Sequence, residues 1–117
     1  MKLENQVSNK ELSKKLKELG IKQESLWKWR LAGNLGWQIE RHFSPIMVEE
    51  KQYSAFTVAE LGELLPIYYS TFFDGKNWCV DEEGCKLEDV FELLEAKTEA
   101  DARAKILIHL IENKLMK

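Results

Sequence analysis

The sequence of 117 residues has no long hydrophobic run and no apolar amino-terminal segment. Its longest apolar stretch, Ile106–Ile111, falls far short of the about 18–20 residues that a membrane-spanning helix needs. The first nineteen residues are charged throughout and lack the apolar centre of a secretory signal peptide. We therefore expect a cytoplasmic protein that does not cross a membrane.

Cysteine and histidine are also scarce, with two of each in the chain. A structural zinc site takes about four such ligands and usually includes a closely spaced cysteine pair. Cys79 and Cys85 stand six positions apart, and His42 and His109 are far from them in the sequence. The composition therefore predicts no metal site and, in a cytoplasmic protein, reduced thiols.

The six glycines are scattered, and they form none of the common phosphate-binding or nucleophile motifs. The patterns Gly-x-x-x-x-Gly-Lys-[Ser/Thr], Gly-x-Gly-x-x-Gly and Gly-x-Ser-x-Gly are all absent. The acidic run 81–89 resembles a calcium-binding loop, but Lys86 occupies the position of the required glycine and Cys85 replaces an oxygen ligand. These absences predict a protein that is not an enzyme and needs no cofactor.

The residues that are present predict one folded domain over residues 1–117. The chain is 44% hydrophobic and 32% charged, with four tryptophans, which is not the composition of a disordered protein. Residues 1–30 carry eight basic and four acidic side chains, whereas residues 31–101 carry five and fifteen. The acidic middle argues against nucleic acid covering the whole surface.

Three helix starts stand out, each with Ser or Thr followed three positions later by Glu or Asp, at Ser8, Thr57 and Thr98. In such a capping box the hydroxyl oxygen accepts an N–H of the first turn while the acid reaches back to the cap. Gly20 predicts a left-handed helix end, and Pro66 ends the second helix. The predicted helices span about 9–19, 58–65 and 99–114, the last being the longest.

Between these helices the apolar residues alternate as in β-strands. Residues 67–73 and 78–80 flank Asp74-Gly75, which predicts a hairpin. Residues 46–56 are predicted to be partly extended, and residues 90–96 form a last strand or a short helix, with the strand favoured. The predicted fold class is α+β, with a small antiparallel sheet of about four to five strands and three helices.

The stretch LKELGIKQESLWKW, residues 16–29, allows two interpretations. In the first, residues 10–30 form a helix-turn-helix with its turn at Gly20, and four polar side chains face nucleic acid: Lys22, Gln23, Ser25 and Lys28. Two features count against it. Leu16 stands where the motif needs a small residue, and Glu24 brings a negative charge towards phosphate.

In the second interpretation, which we favour, the chain after Gly20 enters a β-hairpin. Trp27, Trp29 and Leu31 then share one face of a strand, with Lys28 and Arg30 on the other. A Gly-Asn loop follows, and a second alternating run begins at Trp37 with the apolar residues Trp37, Ile39 and Phe43. Matched alternation on both sides of such a loop is typical of a hairpin.

Aromatic residues are numerous for a chain of this size: Trp27, Trp29, Trp37, Tyr53, Tyr68, Tyr69 and Trp78. Most are expected to pack across the sheet, but Trp and Tyr are also favoured at binding surfaces. We predict a non-enzymatic protein- or peptide-interaction module that binds through an aromatic patch or an open sheet edge. The candidate partner-binding residues are Trp29, Arg30, Trp37 and Tyr68. The last helix and a sheet edge both permit a homodimer, and a nucleic-acid binder using residues 10–30 is the alternative.

Three stretches, LSKKLKELGIKQESLWKW, YSAFTVAELGELLP and TEADARAKILIHLIENKL, together resemble a family of small uncharacterised proteins of bacterial and phage genomes. The resemblance covers about residues 8–29, 53–66 and 98–115. It implies a prophage or mobile-element origin and an accessory role, and it transfers no catalytic residue. The segment 86–96 is longer than the link expected from that family.

Overall fold

A computed structural model of the chain describes residues 2–42, 51–65, 69–82 and 95–114. The described part contains three α-helices, α1 (Lys10–Glu18), α2 (Val58–Leu64) and α3 (Glu99–Glu112). It also contains five strands, β1 (Trp27–Leu31), β2 (Trp37–Arg41), β3 (Gln52–Ala55), β4 (Tyr69–Phe73) and β5 (Trp78–Glu82). The predicted α+β class, with the carboxyl-terminal helix the longest, is confirmed.

The five strands form two antiparallel sheets rather than one. The first has the strand order β2-β1-β3, and the second is the β4–β5 hairpin. The predicted turn is confirmed, since Asp74 N–H donates to the Asn77 carbonyl and Gly75 has a φ of 101°. Of the predicted strand 90–96, residues 90–94 lie outside the described residues, and Ala96 forms a single bridge with Trp78.

The helix starts follow the predicted caps at α2 and α3 but not at α1. Thr57 and Glu60 form the predicted capping box, and Thr98 accepts from the Asp101 N–H. At α1 the N-cap is Asn9, whose side chain accepts the Leu12 N–H, so the prediction of Ser8 was wrong. The reason is that the side chain of Ser8 is fully buried and bonds to the chain next to β3 instead.

The end of α1 follows the predicted glycine stop. Gly20 has a φ of 90°, and the Ile21 N–H donates back to the Leu16 carbonyl at 3.0 Å. This closure turns the chain away from the helix towards β1. Residues 27–31 are a strand, so the hairpin interpretation is confirmed and the recognition helix of a helix-turn-helix is absent.

The core is centred on α3, as its apolar pattern predicted. Its buried side chains pack with apolar residues from α1, α2, β5 and the segment before α2, and the most deeply buried larger members are Leu16, Phe56, Leu61, Val80, Ile106, Leu107 and Leu110. Three buried alanines on α3, Ala100, Ala102 and Ala104, let the neighbouring elements approach closely. No helix in the described ranges is long and apolar enough to span a membrane.

Candidate functional site

Two of the predicted partner-binding residues, Trp29 and Trp37, come together on one face of the three-stranded sheet. They line a groove of about 500 Å³ together with Gln38, Ile39 and the amino-terminal residues 2–4. Trp29 lies opposite Ile39 on the paired strands β1 and β2. The face is therefore a half-buried aromatic surface bordered by the amino-terminal segment.

Helix α1 covers part of this aromatic face. Trp37 stacks on Tyr53 with 5.3 Å between the ring centroids, and the Lys10 ammonium lies 5.2 Å from the Trp37 centroid. Trp29 Nε1–H donates to the Ser8 carbonyl at 2.9 Å. The aromatic residues thus hold α1 against the sheet, as the packing interpretation expected, while Trp37 and Ile39 still border the groove.

The other two predicted residues are not part of this groove. Arg30 lies on the opposite face of β1, where its Nε donates to Glu40 Oε1 at 2.7 Å. Glu40 also lies 3.7 Å from the ammonium of Lys28, which is buried and donates to Gln52. Tyr68 lies outside the described residues. The structure therefore separates Arg30 from the two tryptophans.

The residues of the nucleic-acid alternative are used within the fold. Gln23 accepts the Ser54 N–H, Ser25 donates to the Trp27 carbonyl, and Lys22 pairs with Glu24. Lys28 is 7% exposed. Because these side chains neither share a helix nor point together into solvent, the predicted arrangement for reading DNA is not present.

The hydrogen bonds of the β1–β2 hairpin determine which backbone groups of β2 point outward. Ala32 N–H donates to the Gly36 carbonyl, and His42 N–H donates to the Leu26 carbonyl. Bonded pairs alternate along an antiparallel ladder, so the bonded residues of β2 between these two points are Gln38 and Glu40. The N–H and C=O groups of the odd-numbered residues Trp37, Ile39 and Arg41 consequently point away from β1.

Among the residues that the structure describes, these outward groups make β2 an open edge of the sheet. In the ranges 2–42, 51–65, 69–82 and 95–114, no backbone hydrogen bond reaches Trp37, Ile39 or Arg41 from outside the hairpin. Their side chains are half-buried at Trp37 and Ile39 and exposed at Arg41. The open edge therefore runs beside the aromatic groove, with Trp37 and Ile39 belonging to both.

The other edge of the same sheet, β3, is closed by side chains from three places. Lys17 Nζ donates to the Gln52 carbonyl at 3.1 Å, and Gln23 Oε1 accepts the Ser54 N–H at 2.8 Å. Just beyond the strand, the Ser8 N–H donates to the Phe56 carbonyl at 2.8 Å, and the Ser8 hydroxyl oxygen accepts the Phe56 N–H at 3.1 Å. One outward group each of Gln52 and Ser54 is thus bonded by a side chain, whereas within the described part of the chain the equivalent groups on β2 have no such partner.

A small cluster of possible metal ligands lies at the β4–β5 turn. One ligand atom each from Asp74, Cys79 and Glu95 lies within 4.8 Å of the others. Asp74 Oδ1 already accepts the N–H groups of Lys76 and Asn77, and the Cys79 thiol donates to Asp74 Oδ2 at 3.5 Å. Burial, followed by the nearby carboxylates, raises the pKa of Cys79, which favours the thiol over a metal-binding thiolate. The cluster is explained as turn hydrogen bonding.

A second groove, of about 530 Å³, lies between the first turns of α2 and α3 and is bordered by Trp78 and Lys97. The threonine caps at Thr57 and Thr98 already satisfy one N–H group in each helix. Its remaining lining is neutral or acidic, including Glu99. Among the described residues of its lining, no set of polar groups identifies a ligand.

Comparison of the chain with protein-family models, with curated proteins and with solved structures finds no match.

Proposed function

We propose that this protein is a non-enzymatic interaction module that binds an extended segment of a partner protein by adding it as a strand beside β2. One observation carries the proposal: the outward N–H and C=O groups of β2 lack partners in the described part of the chain, while side chains bond to the outward carbonyl of Gln52 and the outward N–H of Ser54 on β3. An exposed strand edge of this kind is a template for pairing with another chain.

The open edge offers main-chain affinity, because three residues present three N–H and three C=O groups in a row. Hydrogen bonds of this type do not read side chains, so specificity has to come from the neighbouring surface. Side chains of an added strand alternate between the two faces of the sheet. Every second side chain of the bound segment would fall beside Trp37 and Ile39, so we expect an apolar residue beside Ile39 and an apolar or cationic residue beside the ring of Trp37.

The proposal also includes an accessory role in a phage or prophage setting and a cytoplasmic location. The first is supported by the resemblance of residues 8–29, 53–66 and 98–115 to small proteins of bacterial and phage genomes. The second is an expectation from the composition of the chain, which has two cysteines.

A random peptide library displayed on phage tests strand addition directly. We expect selected peptides to alternate apolar and polar residues and to compete with one another for binding. Ile39→Pro removes one outward N–H group and blocks the approach of a strand, so it should reduce the affinity of the selected peptides at least about tenfold. Ile39→Val keeps the N–H group and the β-branched side chain, and this matched control should bind almost as the unchanged protein does.

Equal binding by the proline and valine variants would contradict strand addition at β2. Salt-sensitive binding of duplex DNA without any peptide binding would instead support the nucleic-acid alternative. Circular dichroism of both variants checks that each of them is folded.

A further inference from the structure

We infer that the strand which fills the open edge is β2 of a second copy of this chain, paired antiparallel about a two-fold axis at Ile39. This inference rests on the proposed strand addition and names the partner. A two-fold interface uses the same patch on both copies, so the patch must be complementary to itself. The five residues of β2 meet that requirement in one register.

Geometry leaves few registers to consider. The outward-facing residues of β2 are the odd-numbered ones, so hydrogen-bonded pairs between copies must join odd positions to odd positions. A two-fold axis at Glu40 would place two carboxylates directly opposite each other, which is destabilising. An axis at Gln38 would bring Arg41 opposite Leu35, beyond the end of the strand. Only an axis at Ile39 pairs all five residues.

In that register the side chains of the two copies are also complementary. On the aromatic face, Trp37 of one copy lies opposite Arg41 of the other, and the two Ile39 side chains meet at the centre. Arg41 already lies 5.6 Å from the centroid of Trp27 within its own chain, so its guanidinium is positioned for contact with aromatic rings. On the other face, the neutral amide of Gln38 lies opposite the carboxylate of Glu40. No like charges oppose each other in this pairing.

The assembly that results has no open edge among the strands of this sheet. Joining the two copies gives the strand order β3-β1-β2-β2-β1-β3, in which both outer strands are β3. Each β3 edge is closed by Lys17 and Gln23 of its own chain. Self-pairing is therefore expected to stop at two copies, because the side chains of Lys17 and Gln23 lie where a further strand would bond to β3.

Sedimentation equilibrium of the unchanged protein between about 1 µM and about 1 mM tests the pairing, since an interface of one short strand is expected to be weak. We expect a monomer–dimer equilibrium. Gln38→Glu places a second carboxylate opposite Glu40 twice in each dimer and should weaken dimerisation about fivefold or more. Gln38→Lys creates two opposite-charge pairs and should strengthen it by a similar factor.

The two Gln38 variants are matched because their effects within one chain have the opposite sign. Gln38 lies opposite Arg30 in the hairpin, so the glutamate should stabilise the monomer slightly and the lysine should destabilise it slightly. Weaker dimerisation by the glutamate variant therefore cannot come from damage to the fold. Ile39→Pro should be monomeric throughout.

The outcomes separate this inference from the proposed function. A protein that stays monomeric but binds library peptides at β2 overturns self-pairing and leaves strand addition standing. A dimer that is unaffected by Ile39→Pro and by both Gln38 variants uses another surface, and it also overturns the inference. A monomer that binds no peptide contradicts both proposals.

Discussion

The two edges of the three-stranded sheet differ in how their outward backbone groups are satisfied. At β3, side chains from Ser8, Lys17 and Gln23 each bond to the edge or to the residue just beyond it. At β2, the equivalent groups have no such partner in the described part of the chain. Both strands are short, at four and five residues, so length does not explain the difference.

The comparison shows that closing a sheet edge takes specific residues from elsewhere in the fold. Lys17 comes from α1, Gln23 from the segment after it, and Ser8 from the segment before it. All three precede the sheet in the chain and gather on the side of β3. The β2 edge instead has the groove formed with residues 2–4 beside it. An edge left open next to an aromatic surface is the expected arrangement for strand addition.

The largest predicted effect comes from placing proline on each edge. Ser54 and Ile39 both direct their N–H groups outward, but within the described ranges only the N–H of Ser54 is bonded. Ser54→Pro should lower the free energy of unfolding by about 3 kcal/mol more than Ser54→Ala, because a part-buried hydrogen bond is lost and its acceptor is left unpaired. Ile39→Pro should cost no more than Ile39→Ala. Urea denaturation of the four variants measures both differences, and equal proline costs at the two edges would show that the edges do not differ.

A smaller effect is expected from removing the side chain that closes β3. Gln23→Ala leaves the N–H of Ser54 buried without an acceptor and should cost about 1–3 kcal/mol. Gln38→Ala, on the exposed part of β2, should change stability by less than about 0.5 kcal/mol. Thermal unfolding of the two alanine variants side by side provides the measurement. An equal loss of stability in Gln23→Ala and Gln38→Ala would contradict the proposed difference between the two edges.

The smallest effect is a pH dependence of the free energy of unfolding, and it comes from Asp101, which bonds to the segment that carries Ser8. Asp101 accepts the N–H of the adjacent Asn9 at 2.8 Å, and burial raises the pKa of Asp101 above its ordinary value of 3.8. The folded state therefore holds the proton more tightly than the unfolded state does. The stabilisation from protonated Asp101 is fully present below its ordinary pKa and is lost as the pH rises through the higher folded-state pKa.

Asp101→Asn keeps an oxygen that can accept the Asn9 N–H but does not titrate. The stability of the unchanged protein relative to this variant should fall as the pH rises from 3.8. Urea denaturation of both proteins across this range measures the trend. A relative stability that rises with pH would mean that burial does not dominate at Asp101.

Much of the fold could be predicted from local patterns, because those patterns act over a few residues. The threonine caps at Thr57 and Thr98, the Gly20 stop and the alternation in the first hairpin all follow from neighbours in the sequence. The prediction of Ser8 as a cap failed because its partner, Phe56, lies 48 positions away. A local motif cannot show that a distant strand competes for the same side chain.

The candidate site was only partly predictable for the same reason. Alternation placed Trp29 and Trp37 on one face, and it placed Arg30 on the other, so the separation of Arg30 from the tryptophans was readable from the pattern. Which strand lies at the edge depends on the sheet order, and no local signal specifies that β1 lies in the centre with β2 and β3 at the two edges. Ile39 and Arg41 therefore became candidate residues only with the structure.

Amide hydrogen exchange along β2 is the most direct test of the open edge. In dilute protein, the amides of Trp37, Ile39 and Arg41 should exchange quickly, and those of Gln38 and Glu40 should be protected by their bonds to β1. When a second copy or a selected peptide occupies the edge, the three fast amides should become protected. Protection of all five amides in dilute protein, or continued fast exchange at the three outward positions after association, would contradict strand addition at β2.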